Sequence, residues 1–193
     1  MGRRSADAYD RERGLRESEA ATADTFEAEF PIVTDRRVRL IESMSDPPDR
    51  IALIDGIETG VELTAIHAGS AEDIICEILR LAQQKHSSYV RRHLFDAGPM
   101  ILLGHLDWPS REVEGPALYD MRQDLAKLTT PHNFDSFGFS EIWLMDAGTK
   151  YTSRRDPRAP ADFFCFAPAE SAGFWRRERK RRPYWSLTQD LLI

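Results

Sequence analysis

The chain has 193 residues, 26 Lys+Arg against 32 Asp+Glu for a formal net charge of -6, and 41% hydrophobic residues. That balance supports one domain with a real core and excludes a wholly disordered chain. No run approaches the ~18 consecutive apolar residues of a membrane span, no apolar segment follows the charged N-terminus as a secretory signal would require, and Cys76 and Cys165 are too few and too far apart for a disulfide scaffold or a zinc knuckle. A reduced, cytoplasmic setting fits, with no membrane partner.

Residues 1–20 read as a charged arm or a helix without a strong face, 21–170 as a single α/β domain, and 171–193 as a basic, aromatic tail carrying WRRERKRRPYW. Residues 21–30 suit a short helix ended by Pro31. Thr34 then suits the N-cap of a second helix that places Val38, Ile41 and Glu42 on adjoining turns, stopped by Asp46-Pro47-Pro48. The period next changes to that of strands. IALI (51–54) and VELTAI (61–66), joined by DGIETG, predict an antiparallel hairpin with a loop of about six residues.

Residues 71–92 carry the clearest helical pattern. Ser70 and Asp73 form a capping box, and Ile74, Ile78, Leu81, Ala82 and Tyr89 recur along one stripe. MILLGHL (100–106) is a central strand covered on both sides. Residues 117–128 form a short helix, and FSEIWLMD (139–146) and DFFCFAP (162–168) are further strands. Helices alternating with strands predict a mixed sheet with helices packed on it.

Three acids and one lysine carry the chemical interest. Glu62 lies inside an apolar strand, where an unpartnered charge is costly. Asp49 opens the preceding strand, and Glu42 sits on the apolar side of the predicted second helix. A divalent cation held by hard oxygen ligands would compensate such acids, and magnesium needs only one or two carboxylates with several waters. If Ile54 pairs with Val61, Asp49 falls on the same face as Glu62 but four residues away, roughly 13 Å along a straight strand. A bend or bulge must then close the gap. The alternative is a surface-facing Glu62 and a turn residue at Asp49. Lys85 returns to the apolar stripe of the 71–92 helix and is the only lysine in the first 126 residues. It can lay its stem along the core or aim its ammonium at the sheet.

PPDRIALIDG followed by GVELTAI resembles the core of the PD-(D/E)XK nuclease-like superfamily. The resemblance covers roughly residues 33–106. It implies a restriction-endonuclease-like mixed sheet flanked by helices, and a site in which Asp49 and Glu62 hold magnesium or manganese. It also implies an acidic helper from the first helix, for which Glu42 is the candidate. Thr64 stands where the family lysine would be; some members carry that lysine on the following helix, which makes Lys85 the candidate. The implied activity is metal-dependent phosphodiester hydrolysis on nucleic acid, DNA foremost. The competing expectation is a non-catalytic module on the same scaffold, binding nucleic acid, a protein partner or a second copy.

Other polar groups are less coherent. His67, His105 and Asp107 are a possible softer-metal set, each with a structural alternative. Glu141 faces the site or pairs with an arginine. Phe134, Phe137 and Phe139 are base-stacking or core residues. There is no GxxxxGK[ST] or GxGxxG pattern, so ATP hydrolysis and dinucleotide binding have no support.

Overall fold

The computed structural model describes residues 6–41, 48–67, 69–106, 118–146, 161–176 and 185–186. Within these residues, eight strands form one sheet in sequence order: β1 (Val38–Ile41), β2 (Arg50–Ile54), β3 (Ile57–Ile66), β4 (Met100–Leu106), β5 (Glu141–Asp146), β6 (Asp162–Ala167), β7 (Gly173–Arg176) and β8 (Trp185–Ser186). β3, β4 and β5 run parallel, and every other neighbouring pair is antiparallel. Among the described residues, three α-helices flank the sheet: α1 (Ala6–Thr34), α2 (Ala71–Arg91) and α3 (Leu118–Thr129). The α/β class with a central mixed sheet and flanking helices is therefore as expected.

Each parallel step needs a crossover, and α2 and α3 provide them. Both pack on one face of the sheet, where Ile74, Ile78 and Leu125 meet Leu102, Leu144 and Phe164. α1 covers the other face, where Ala23, Phe26, Phe30 and Val33 meet Val61, Leu103, Trp143 and Phe163. β4 and β6 are thus apolar at nearly every position because both of their faces are covered.

Two local expectations are corrected. The helix before the first proline pair is a strand: Val38–Ile41 pairs antiparallel with β2, and its side chains alternate between half-buried and exposed. Pro31 does not end the preceding helix. α1 begins within the segment read as an arm or a faceless helix and continues through Pro31 to Thr34, whose hydroxyl donates to the Phe30 carbonyl at 2.7 Å. Packing of Phe26, Phe30 and Val33 against the sheet outweighs the one hydrogen bond a proline removes. The expected helix acid, Glu42, lies outside the described residues.

α2 begins as its sequence predicts. Ser70 Oγ accepts the Asp73 amide at 3.2 Å and donates to the Asp73 carboxylate at 2.8 Å. At the far side of the sheet, β7 joins beyond residue 170 and carries Arg176, which donates to both oxygens of buried Asp162 at 2.5 and 2.7 Å.

Candidate functional site

The β2–β3 hairpin sets the geometry of the candidate site. Its turn is Asp55-Gly56, two residues with φ of +52° and +87°, shorter than the expected loop of about six. Two left-handed residues in succession match the twist of the flanking strands, and Gly56 accepts that conformation without a steric penalty. The short turn moves the register: Ile54 pairs with Ile57, Leu53 with Glu58, and Arg50 with Val61. Asp49, one residue before Arg50, therefore comes opposite Glu62. The separation along the strand that a longer loop implied is gone, and no bulge is required.

Asp49 is half-buried, and its Oδ2 accepts the Leu63 amide at 2.8 Å. Its pKa is raised from 3.8 to about 6, first by burial and then by the negative charge of Glu62. The Leu63 amide and the Lys85 ammonium oppose that rise, while Glu19 on α1 adds to it. Pro48 helps to fix the approach of this residue, because it packs over Gly60: a Cβ there would lie 3.1 Å from Pro48 Cγ and 2.3 Å from Met100 Sδ.

Glu62 is only 4% exposed. Its β3 neighbours Val61 and Leu63 face α1, so strand alternation turns Glu62 toward α2. Two residues one helical turn apart meet it there. Lys85 Nζ donates to Oε1, and the Tyr89 hydroxyl donates to Oε2. The apolar stripe of α2 explains both approaches: Ile78, Leu81 and Ala82 anchor the helix on the sheet, and the next turns of the stripe deliver Lys85 and Tyr89 to the same carboxylate. The Tyr89 ring is held by Phe95 at 5.8 Å and Phe139 at 6.1 Å, which themselves meet edge to face at 5.2 Å.

The structure thus brings together Asp49, Glu62 and Lys85. It adds Tyr89, which the sequence pattern marks only as a core position; Glu19, in the segment read as an arm, bears on Asp49 through its charge alone. A signal for Tyr89 was present, since it follows Lys85 by four residues on the same stripe. Thr64 is half-buried further along β3.

The remaining candidates are elsewhere. Glu141 accepts from Arg36 Nη1 and Trp143 Nε1, both at 2.7 Å, so it pairs with an arginine away from the site. His105 is buried within β4, His67 is exposed beyond the end of β3, and Asp107 is outside the described residues. His86 Nδ1 lies 2.7 Å from the Phe137 carbonyl. Phe134 and Phe139 are core residues. Much of the basic run in 171–193 lies outside the described residues, as does Trp108.

Among the described residues, no group of three or more His, Cys, Asp or Glu side chains is placed to hold a metal ion. Asp49 and Glu62 are a pair, and a pair of hard oxygen donors suffices for magnesium or manganese that keeps several waters. The Asp49 pKa is raised first by burial and second by the charge of Glu62, and a cation held between the two carboxylates would relieve the second of these. No helix among the described residues is long and apolar enough to cross a membrane. No family model matches the chain, and no curated protein or solved structure is significantly similar to it.

Proposed function

We propose that the protein is a divalent-metal-dependent phosphodiesterase acting on nucleic acid, with DNA as the first substrate to examine. One observation carries the reading: Asp49, Glu62 and Lys85, separated by up to 36 positions in sequence, converge on one point of the sheet. Asp49 and Glu62 would hold magnesium or manganese. When bound, such an ion polarises the phosphodiester and lowers the pKa of a water. The chain's own residues supply the rest. At neutral pH Asp49 is largely ionised, since its pKa is about 6. Lys85 is partly exposed on a long stem, so its ammonium can move from Glu62 to a phosphate oxygen and stabilise the charge that grows there as water attacks. Arg91 and Arg92 are exposed at the end of the same helix and offer contacts to the phosphate backbone. The two free cysteines fit a reduced, cytoplasmic setting.

A second reading is a non-catalytic binding module for nucleic acid or for a protein, including a second copy. It is favoured by the engagement of both Glu62 oxygens within the protein, and by Thr64 at the position of the family lysine. Single- and double-stranded DNA and RNA incubated with the chain in Mg2+, Mn2+ or EDTA distinguish the two. The enzyme reading expects cleavage that needs the cation and is lost in Glu62→Gln. Partner binding without cleavage, unchanged in Glu62→Gln, supports the module instead.

A further inference from the structure

We propose that Tyr89 is a positioning residue for Glu62: it fixes one carboxylate oxygen so that the other is free to exchange between Lys85 and an incoming cation. The inference rests on the metal-site reading above and adds a residue to it. The two donors on Glu62 differ in what holds them. Tyr89 is 2% exposed, and Phe95 and Phe139 enclose its ring. Its hydroxyl has little room to leave Oε2 without disturbing that aromatic cluster. Lys85 is 26% exposed at the side chain, and a flexible four-carbon stem carries its ammonium. The exchangeable contact is therefore Lys85–Oε1, and the fixed one is Tyr89–Oε2.

A carboxylate held at one oxygen has lost the rotation that would otherwise misdirect its second oxygen. Partners behind a metal ligand act in this way, and losing one typically weakens metal binding about 10- to 100-fold. His86 reinforces the arrangement: its Nδ1 lies 2.7 Å from the Phe137 carbonyl and its ring packs 5.8 Å from Phe95, tying the end of α2 to the aromatic cluster.

The test is calorimetric titration of the full chain with Mn2+, comparing wild type, Tyr89→Phe, Glu62→Gln and the double variant. Tyr89→Phe keeps the ring and removes only the hydroxyl. The expected result is about a tenfold or greater loss of Mn2+ affinity in Tyr89→Phe, and a double variant that binds no more weakly than Glu62→Gln alone. A purely structural role would lower the unfolding temperature and leave Mn2+ affinity unchanged, which would overturn the proposal. Wild-type Mn2+ affinity in Glu62→Gln would overturn both the proposal and the metal site beneath it. If Tyr89→Phe does not fold, wild-type chain labelled with 3-fluorotyrosine gives a second reading. One of its five tyrosine resonances must move on adding Mg2+ and stay fixed in Glu62→Gln; no movement at saturating Mg2+ overturns the assignment.

Discussion

Asp49 reaches across the β2–β3 hairpin and accepts the backbone N–H of Leu63 at 2.8 Å, one residue beyond Glu62. The bond ties a carboxylate that precedes one strand to the strand that carries its partner. The bond itself lowers the Asp49 pKa, but burial first and the nearby charge of Glu62 second outweigh it, so the pKa stands at about 6.

A carboxyl that holds its proton more tightly in the folded chain than in the unfolded one favours folding while it is protonated. For Asp49 that contribution is present below about pH 4, fades as pH rises to about 6, and is constant above. In EDTA, urea unfolding at intervals from pH 4 to 8 should therefore show Asp49→Asn gaining stability relative to wild type across that window, then holding a steady difference. A difference that does not vary with pH would mean that the proton affinity of Asp49 is ordinary. With Mn2+ present the direction reverses: binding competes with the proton, so affinity should rise as pH approaches 6 and level off above it.

The ion pair between Lys85 and Glu62 predicts a strongly non-additive double-mutant cycle. Glu62 is nearly fully buried, so Lys85→Met leaves its charge with the Tyr89 hydroxyl as the remaining donor among the described residues. Removing one partner of such a pair costs about 3 kcal/mol, whereas replacing both is far milder. Urea unfolding at pH 7 should show Lys85→Met strongly destabilised and Lys85→Met with Glu62→Gln largely restored. Simple addition of the two single effects would mean the pair is weakly coupled.

Much of this was legible in the sequence where patterns are long and uniform. The stripe of α2, the apolar runs of β4 and β6, and the Ser70 cap are each decided by local chemistry, and each stands where it was expected. β1 was not legible. Ile41 is an apolar residue on its exposed side, so VRLI lacks the clean alternation of a strand and fits a helical turn equally well. Pairing with β2 decides the matter, and pairing is not a local property. The same holds for Pro31, a helix stop in isolation that tertiary packing overrides. At the site, Asp49, Glu62 and Lys85 stood out as charges set against apolar surroundings. Tyr89 did not, because a tyrosine on an apolar stripe already has an explanation in its ring, and its hydroxyl becomes informative only when an acceptor is found opposite.

Gly104 predicts how closely α2 sits on the sheet. A Cβ at this β4 position would lie 2.9 Å from Ile78 Cδ1 and 3.0 Å from Ile66 Cγ1, both fully buried and branched. Gly104→Ala should destabilise the protein by about 1–3 kcal/mol, the usual cost of an extra carbon in a close-packed core. Because the displaced helix also carries Lys85 and Tyr89, Mn2+ affinity should fall as well. Unchanged urea midpoint and unchanged affinity would show that α2 has room to spare above β4.

The Asp55-Gly56 turn predicts a link between a remote surface position and the site. Gly56 is exposed and has a φ of +87°, with nothing within 4 Å of the place a Cβ would occupy, so a substitution there acts through backbone conformation alone. Gly56→Val forces a branched residue into the left-handed region, at a cost of about 1–3 kcal/mol. The chain can relieve that strain by opening the turn to a longer loop. Any longer loop that shifts the pairing slides Asp49 away from Glu62, because Arg50 opposite Val61 is what sets the two acids across from one another. Gly56→Val is therefore expected to lower stability and also to weaken Mn2+ binding, although the substituted residue touches neither acid. The Asp49–Leu63 hydrogen bond reports the register directly: hydrogen exchange at the Leu63 amide should quicken in the variant. Lost stability with Leu63 exchange and Mn2+ affinity both unaltered would show that the register is held by the strands themselves and not by the turn.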